Sequence, residues 1–245
     1  MNKTMIVLVL FSWQVIAGTP NAKITLIEGS GMICKQNKTA WRPVKLNMSL
    51  QVDDRIKTDE ESLLEITYKN GTVMRLAEFS ECRIKKCEYM AVSTNVAKGN
   101  VWVNMKKLAS KGQKFELSTP TAVAAIRGTV FQLQSMSDLS ADVAVFDGKV
   151  AVGLSEEGKE RTGSAKMKNN GPSQEVPGPA EVPGPAEIPG PYQVTLDQWR
   201  MIIAGQRISI RSNGTFATSQ FDLQSKQDAF VEKNRVLDIQ IKDAR

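Results

Sequence analysis

The sequence predicts an all-β protein, and three observations carry that prediction. From Lys23 to Val152 apolar residues recur in short runs at alternate positions, the period that returns strand side chains to one face. Polar or glycine-containing turns separate the runs, and helix-period segments are scarce between them. The chain has 245 residues, enough for one or two domains that bury a sizeable core.

Taken in order, Leu64, Ile66 and Tyr68 alternate with polar neighbours, and the apolar positions resume at Met74 and Leu76 after Asn70-Gly71. A strict two-residue hairpin would set Tyr68 opposite Val73 and turn Met74 and Leu76 to the wrong face, so this dipeptide predicts a corner or a bulged loop. Val101, Val103 and Met105 predict one strand, Phe115 and Leu117 a second, and Phe131 and Leu133 a third. Val143, Val145, Val150 and Val152 share a face across Asp147-Gly148, which predicts a two-residue hairpin there.

Four stretches follow from composition. Residues 1–17 read as an export signal, with Lys3 as a positive start, an apolar run from Met5 to Phe11, and small residues ending at Ala17. The alternative for this stretch is a retained anchor or a buried strand. The β-domain is expected over 18–155. Residues 156–191 read as a linker, Gly/Ser/Lys-rich and then carrying the hexapeptides EVPGPA, EVPGPA and EIPGPY, with seven of the ten prolines between Pro172 and Pro191. Residues 192–245 read as a small α+β segment: a capping box at Thr195 and Gln198 opens a short helix bearing Leu196, Trp199 and Ile202. A hairpin across Asn213-Gly214 follows, and then a helix from about Gln227 with Phe230, Leu237 and Ile241 on one stripe. The linker is expected to separate two parts that share no rigid core.

Composition also narrows function. Lys plus Arg is 32 against 26 Asp plus Glu, a +6 excess too small for the dense basic stripe of a nucleic-acid binder. His is absent, which removes Ser-His and Cys-His catalysis and imidazole metal sites. Asp53-Asp54 and Glu60-Glu61 are adjacent pairs that point to opposite faces of a strand and read as solvated turns. Lys106, Lys107, Lys111 and Lys114 read as a solvated loop able to attract an anionic surface. No catalytic, cofactor-binding or metal-binding residue is predicted, no cofactor is expected, and the protein is not expected to be an enzyme. Cys82 and Cys87 flank a short polar stretch and are the expected disulfide, leaving Cys34 reduced and buried in its strand. Spacing alone leaves all three pairings open.

The segment TPTAVAAIRGT, Thr119 to Thr129, is the most informative. Thr119 and Pro120 stop a strand, small residues pack through a tight space, Gly128 permits a turn before Thr129, and Arg127 is expected to clamp that turn through a buried carboxylate or carbonyl. A ligand-binding Arg127 is the alternative. This segment resembles the signature of the FecR protein domain. GNVWVNMKKL before it, ADVAVFDGKVAV after it, and AKITLIEGS, DRIKTDEES and LEITYKNGTVMRL upstream fall in that family's order, so the resemblance covers about Ala22 to Val152. It implies a β-solenoid-like fold and a place in envelope signalling, where founding members span the membrane and relay a signal from an outer-membrane receptor to a sigma factor. After Met1, only Asn2 to Thr4 precede the apolar run of the export signal, so the cytoplasmic anti-sigma segment is expected to be absent. The function expected is that of an exported, periplasmic or secreted, non-enzymatic recognition and signalling module that binds a protein or envelope component. The alternative is a structural scaffold of the envelope. The mature chain is expected to carry no transmembrane helix and to bind no nucleic acid.

Overall fold

A computed structural model describes residues 21–105, 113–161 and 199–243. The export signal and the proline-rich hexapeptides lie outside the described residues. The strands are β1 (Ala22–Glu28), β2 (Gly31–Cys34), β3 (Arg42–Pro43), β4 (Arg55–Thr58), β5 (Leu63–Tyr68), β6 (Val73–Leu76), β7 (Glu81–Cys87) and β8 (Ala91–Asn104). They continue as β9 (Lys114–Ser118), β10 (Ala122–Ile126), β11 (Val130–Ser135), β12 (Ala141–Asp147) and β13 (Lys149–Leu154). Helix α1 (Glu156–Arg161), β14 (Arg200–Ile203), β15 (Gln206–Ile210), β16 (Phe216–Gln220) and helix α2 (Ala229–Asp243) complete the order.

The alternating runs do form strands, and the strands form two layers. One layer runs β1-β5-β6-β8-β11-β12-β15-β16, the other β3-β2-β4-β7-β8-β9-β10-β13-β14. Strand β8 belongs to both: Ala91–Lys98 pairs with β7 and β9, and Gly99–Asn104 with β6 and β11. Gly99 makes the crossing possible. Its φ is +101°, and a Cβ there would stand 2.4 Å from the Cα of Ser80, so only glycine fits. The inner faces enclose one core that includes Ile24, Ile66, Met74 and Phe131 from the first layer and Ile33, Ile56, Phe115 and Val150 from the second. Tyr68 joins the layers directly, its ring 5.7 Å edge-on from Phe115 and its hydroxyl 2.9 Å from Thr94 Oγ1.

The all-β expectation holds, and its details change. The chain passes from one layer to the other after every one to three strands, which gives it a wound course. Among the described residues every ladder except β8–β9 is antiparallel, however, so they do not form the stacked parallel coils of a solenoid. Asn70-Gly71 closes a β5–β6 hairpin with a three-residue loop: Tyr68 N–H bonds Thr72 O, and Gly71 has φ +83°. The bulged loop predicted there sets Met74 opposite Ile66. Asp147-Gly148 is not a hairpin. Strand β12 pairs in one layer and β13 in the other, so this dipeptide is a corner between layers.

Beyond residue 155 the expectations need more correction. Residues Glu156–Arg161, assigned to the linker, form α1, whose Gly158 N–H donates to Ser155 Oγ at 3.0 Å. The helix expected around Trp199 and Ile202 is instead strand β14, paired with β13. The hairpin across Asn213-Gly214 and the final helix form as expected. Strands β14 and β15 extend the two layers, and Ile202, Ile208 and Ile210 are part of the common core. The segment after the linker therefore shares one core with the β-domain.

Candidate functional site

The motif begins with a tight turn. Thr119 Oγ1 accepts the N–H groups of Ala122 (2.9 Å) and Thr121 (3.3 Å), while Thr119 N–H donates to Ala122 O at 2.7 Å. Pro120 O accepts from Ser155 Oγ at 2.7 Å, which seats the start of α1 on this turn. Strand β10 then alternates, with Ala122, Ala124 and Ile126 facing the core. Gly128 takes φ +68°, and Thr129 is buried with its O accepting from Met105 N–H at 2.9 Å. Gly148 closes over this turn, and a Cβ on it would lie 2.8 Å from Gly128 O. Thr119, Pro120, Gly128 and Thr129 thus do structural work.

Arg127 does not. It was expected to clamp the turn from within, but alternation along β10 turns it outward, one position past core-facing Ile126. Its side chain is exposed and has no ionic or hydrogen-bond partner among the described residues. Register places it in notable company. Ile126 pairs with Phe115 on one side and Val150 on the other, so Arg127 stands in one cross-strand row with Lys114 and Lys149, strands about 4.8 Å apart. Both lysines are exposed, and neither side chain has a partner among the described residues. The next outward row is Glu116, Ala125, Ala151 and Met201, and Ile203 extends the cation row on β14.

Small side chains at Ala125 and Ala151 leave a hollow between larger neighbours. The groove holds about 520 Å³ and is walled by Trp199 and Met201 on one side and by Lys114, Glu116 and Arg127 on the other. Trp199 packs on Gly153, where a Cβ would lie 3.1 Å from the indole. Met201 is 59% exposed and Ile203 53%, so the apolar surface is open to solvent. An apolar floor beside uncompensated cations suits an anionic group attached to an apolar one.

Residues 54–151 match the FecR protein family. Residues 54–151 are thus the FecR-like part of the chain. The matched span runs from Asp54 into β13, while β1 to β3 and β14 to β16, which lie outside the match, complete the same two sheets. No curated protein matches the chain. Among solved structures, two crystal structures of a candidate anti-sigma factor from Parabacteroides distasonis resemble it at 17% identity and a TM-score of 0.47, over 69% of this chain and 61% of that one. The chain thus spans about three fifths of that protein's length.

A second polar constellation, which sequence reasoning missed, lies where α2 covers the FecR-like part. Arg75 on β6 is fully buried. Its Nε donates to Glu65 Oε2 at 2.8 Å, and its Nη1 donates to Asp238 Oδ1 at 2.6 Å and Asn234 Oδ1 at 3.2 Å. Trp102 Nε1 donates to Asp238 Oδ2 at 3.0 Å, and Thr25 Oγ1 donates to Glu65 Oε1 at 2.6 Å. Arg75 stands opposite Glu65 on one side and Trp102 on the other, so the ladder itself assembles the group. One signal was available: Asn234 and Asp238, four apart, share a helix face with Val231 and Ile241. The buried stripe is Val231, Asn234 and Asp238, with the expected Phe230, Leu237 and Ile241 only half-buried at its margins.

Cys82 and Cys87 are both in β7, which overturns the predicted bridge. Five strand positions separate their Cα atoms by about 16 Å, far beyond the ~7 Å limit for a disulfide. A bulge between Ile84 and Lys86 returns Cys87 to the buried face that Cys82 and Ile84 share. All three cysteines are free, and Cys34 is buried in its strand as expected. Burial pushes the Cys82 thiol up to about 12, with the Glu81 charge adding to it, and also raises Cys87. Asp54, read as a solvated turn residue, is buried: it pairs with Lys35 at 2.6 Å and accepts the N–H groups of Gln51 and Gln36. Among the described residues, no cluster of His, Cys, Asp and Glu could hold a metal, and no helix is long and apolar enough to cross a membrane.

Proposed function

We propose that the chain is an exported, non-enzymatic recognition module of an envelope signalling system, and that it binds a protein partner through the outer face of β9, β10, β13 and β14. The match to the FecR protein family supports the signalling role. The observation that carries the binding face is the exposed Arg127 of the motif, without a partner among the described residues and set in a row with Lys114 and Lys149 beside an apolar groove. Like charges on adjacent strands repel one another in a free sheet, so this row costs stability that a bound anion would recover.

Site-specific photocrosslinking in the native host tests the reading. A crosslinker at Ala125 or Met201 should capture one defined protein, and the adduct should be lost in Arg127→Glu. A crosslinker at Lys226, outside the groove, should not capture it. Equal capture from both places, or none from the groove, would overturn the assignment. A reporter-enzyme fusion after Ala22 should be active only outside the cytoplasm if the chain is exported.

A further inference from the structure

Resting on that reading, we infer that the groove takes a peptide segment of the partner in which a carboxylate side chain neighbours a bulky apolar one. The apolar side chain sits in the Ala125–Ala151 hollow against Trp199 and Met201, and the carboxylate lies on the Lys114–Arg127–Lys149 row. Three features select this class. The cation row and the hollow are successive outward rows of one sheet, two residues apart along each strand, or about 6.6 Å. That is within reach of two neighbouring side chains of one peptide. Charge in the groove is three cations against the single carboxylate of Glu116, whose Oε1 already accepts from Ser93 Oγ at 3.3 Å. A planar guanidinium between two ammonium groups favours a carboxylate held in a fixed orientation over a diffuse anionic surface.

The test is fluorescence anisotropy with the full chain and a labelled peptide Ser-Glu-Leu-Glu-Val-Ser, compared with Ser-Lys-Leu-Lys-Val-Ser and Ser-Glu-Ser-Glu-Ser-Ser. The first should bind saturably and the other two at least tenfold more weakly. Arg127→Gln, Lys114→Gln and Lys149→Gln should each weaken binding about 1.4- to 5-fold, as expected for exposed charge pairs, and affinity should fall with added salt. All three side chains are exposed and have no partner among the described residues, so the variants should melt no lower than the parent, and Arg127→Lys should keep more of the affinity than Arg127→Gln. Binding that ignores the triple Gln variant overturns the inference. So does displacement of the peptide by phosphatidylglycerol vesicles, or by inorganic phosphate, at lower concentration than unlabelled peptide, because the site would then read anions or a lipid surface. If peptide binds only after residues 172–191 are deleted, the occupant is the chain's own glutamate-bearing repeat, and the partner assignment falls. Failure of every peptide while the Ala125 and Met201 crosslinks persist would overturn the peptide class and leave the recognition reading standing.

Discussion

Arg75 and Arg127 are the same residue in the same domain, and their surroundings give them opposite roles. Arg75 is enclosed by Glu65, Asp238 and Asn234, so Arg75→Met strands two buried carboxylates and should cost about 3–5 kcal/mol in chemical denaturation. Arg127 has no partner among the described residues, and Arg127→Ala should change stability by no more than about 0.5 kcal/mol. The thiols add a pH dependence. Cys82 is raised from 9.0 to about 12 in the fold, so between those values the unfolded chain has lost a proton that the native chain keeps. Stability from this group is complete below pH 9 and falls as pH rises, by up to about 1.4 kcal/mol per pH unit. Burial shifts Cys87 and Tyr68 in the same direction. Urea midpoints measured from pH 8 to 11 should therefore decline, and Cys82→Ala should flatten the decline.

At the scale of elements, the corner and hairpin assignments show what periodicity can and cannot reveal. Alternation places Phe115, Leu117, Phe131 and Leu133 inward without any tertiary knowledge, because a half-buried strand has only two faces. Alternation cannot say which layer a strand enters. Val143, Val145, Val150 and Val152 all face the core, and they do so from opposite sides of it. The outward position of Arg127 escapes the sequence for a related reason: small neighbours suggest an interior, whereas Ala125 and Ala151 floor a groove. Helix α2 was legible as a helix, but its buried stripe is polar where it meets Arg75, and apolar spacing cannot report that. Asp238→Ala should loosen this helix, red-shifting the emission of Trp102, whose indole loses its acceptor, and costing about 1–3 kcal/mol. An unchanged spectrum would mean that α2 is held by Val231 and its apolar neighbours alone.

For the whole molecule, the decisive fact is that β13 and β14 are adjacent. Val152 pairs with Arg200, so the described chain stops at the end of α1 and resumes at 199 on the neighbouring strand of the same layer. The repeat-bearing stretch thus connects two parts of one core and does not tether two bodies. A chain ending at Arg161 lacks Ile202, Ile208 and Ile210, and β12 and β13 lose their neighbours, so it should be insoluble when expressed alone. Co-expressed with residues 199–245 as a separate chain, it should copurify as a folded pair. The same topology fixes what the connection costs. Closing a loop costs entropy that rises with the logarithm of its length, about 0.6 kcal/mol per doubling. Deleting residues 172–191 roughly halves the connection without touching a described residue. The shortened protein should be more stable by about 0.6 kcal/mol, with its denaturant m-value unchanged because the described core is untouched. A tether between independent bodies closes no loop within either body, so the same deletion would leave the unfolding free energy where it was.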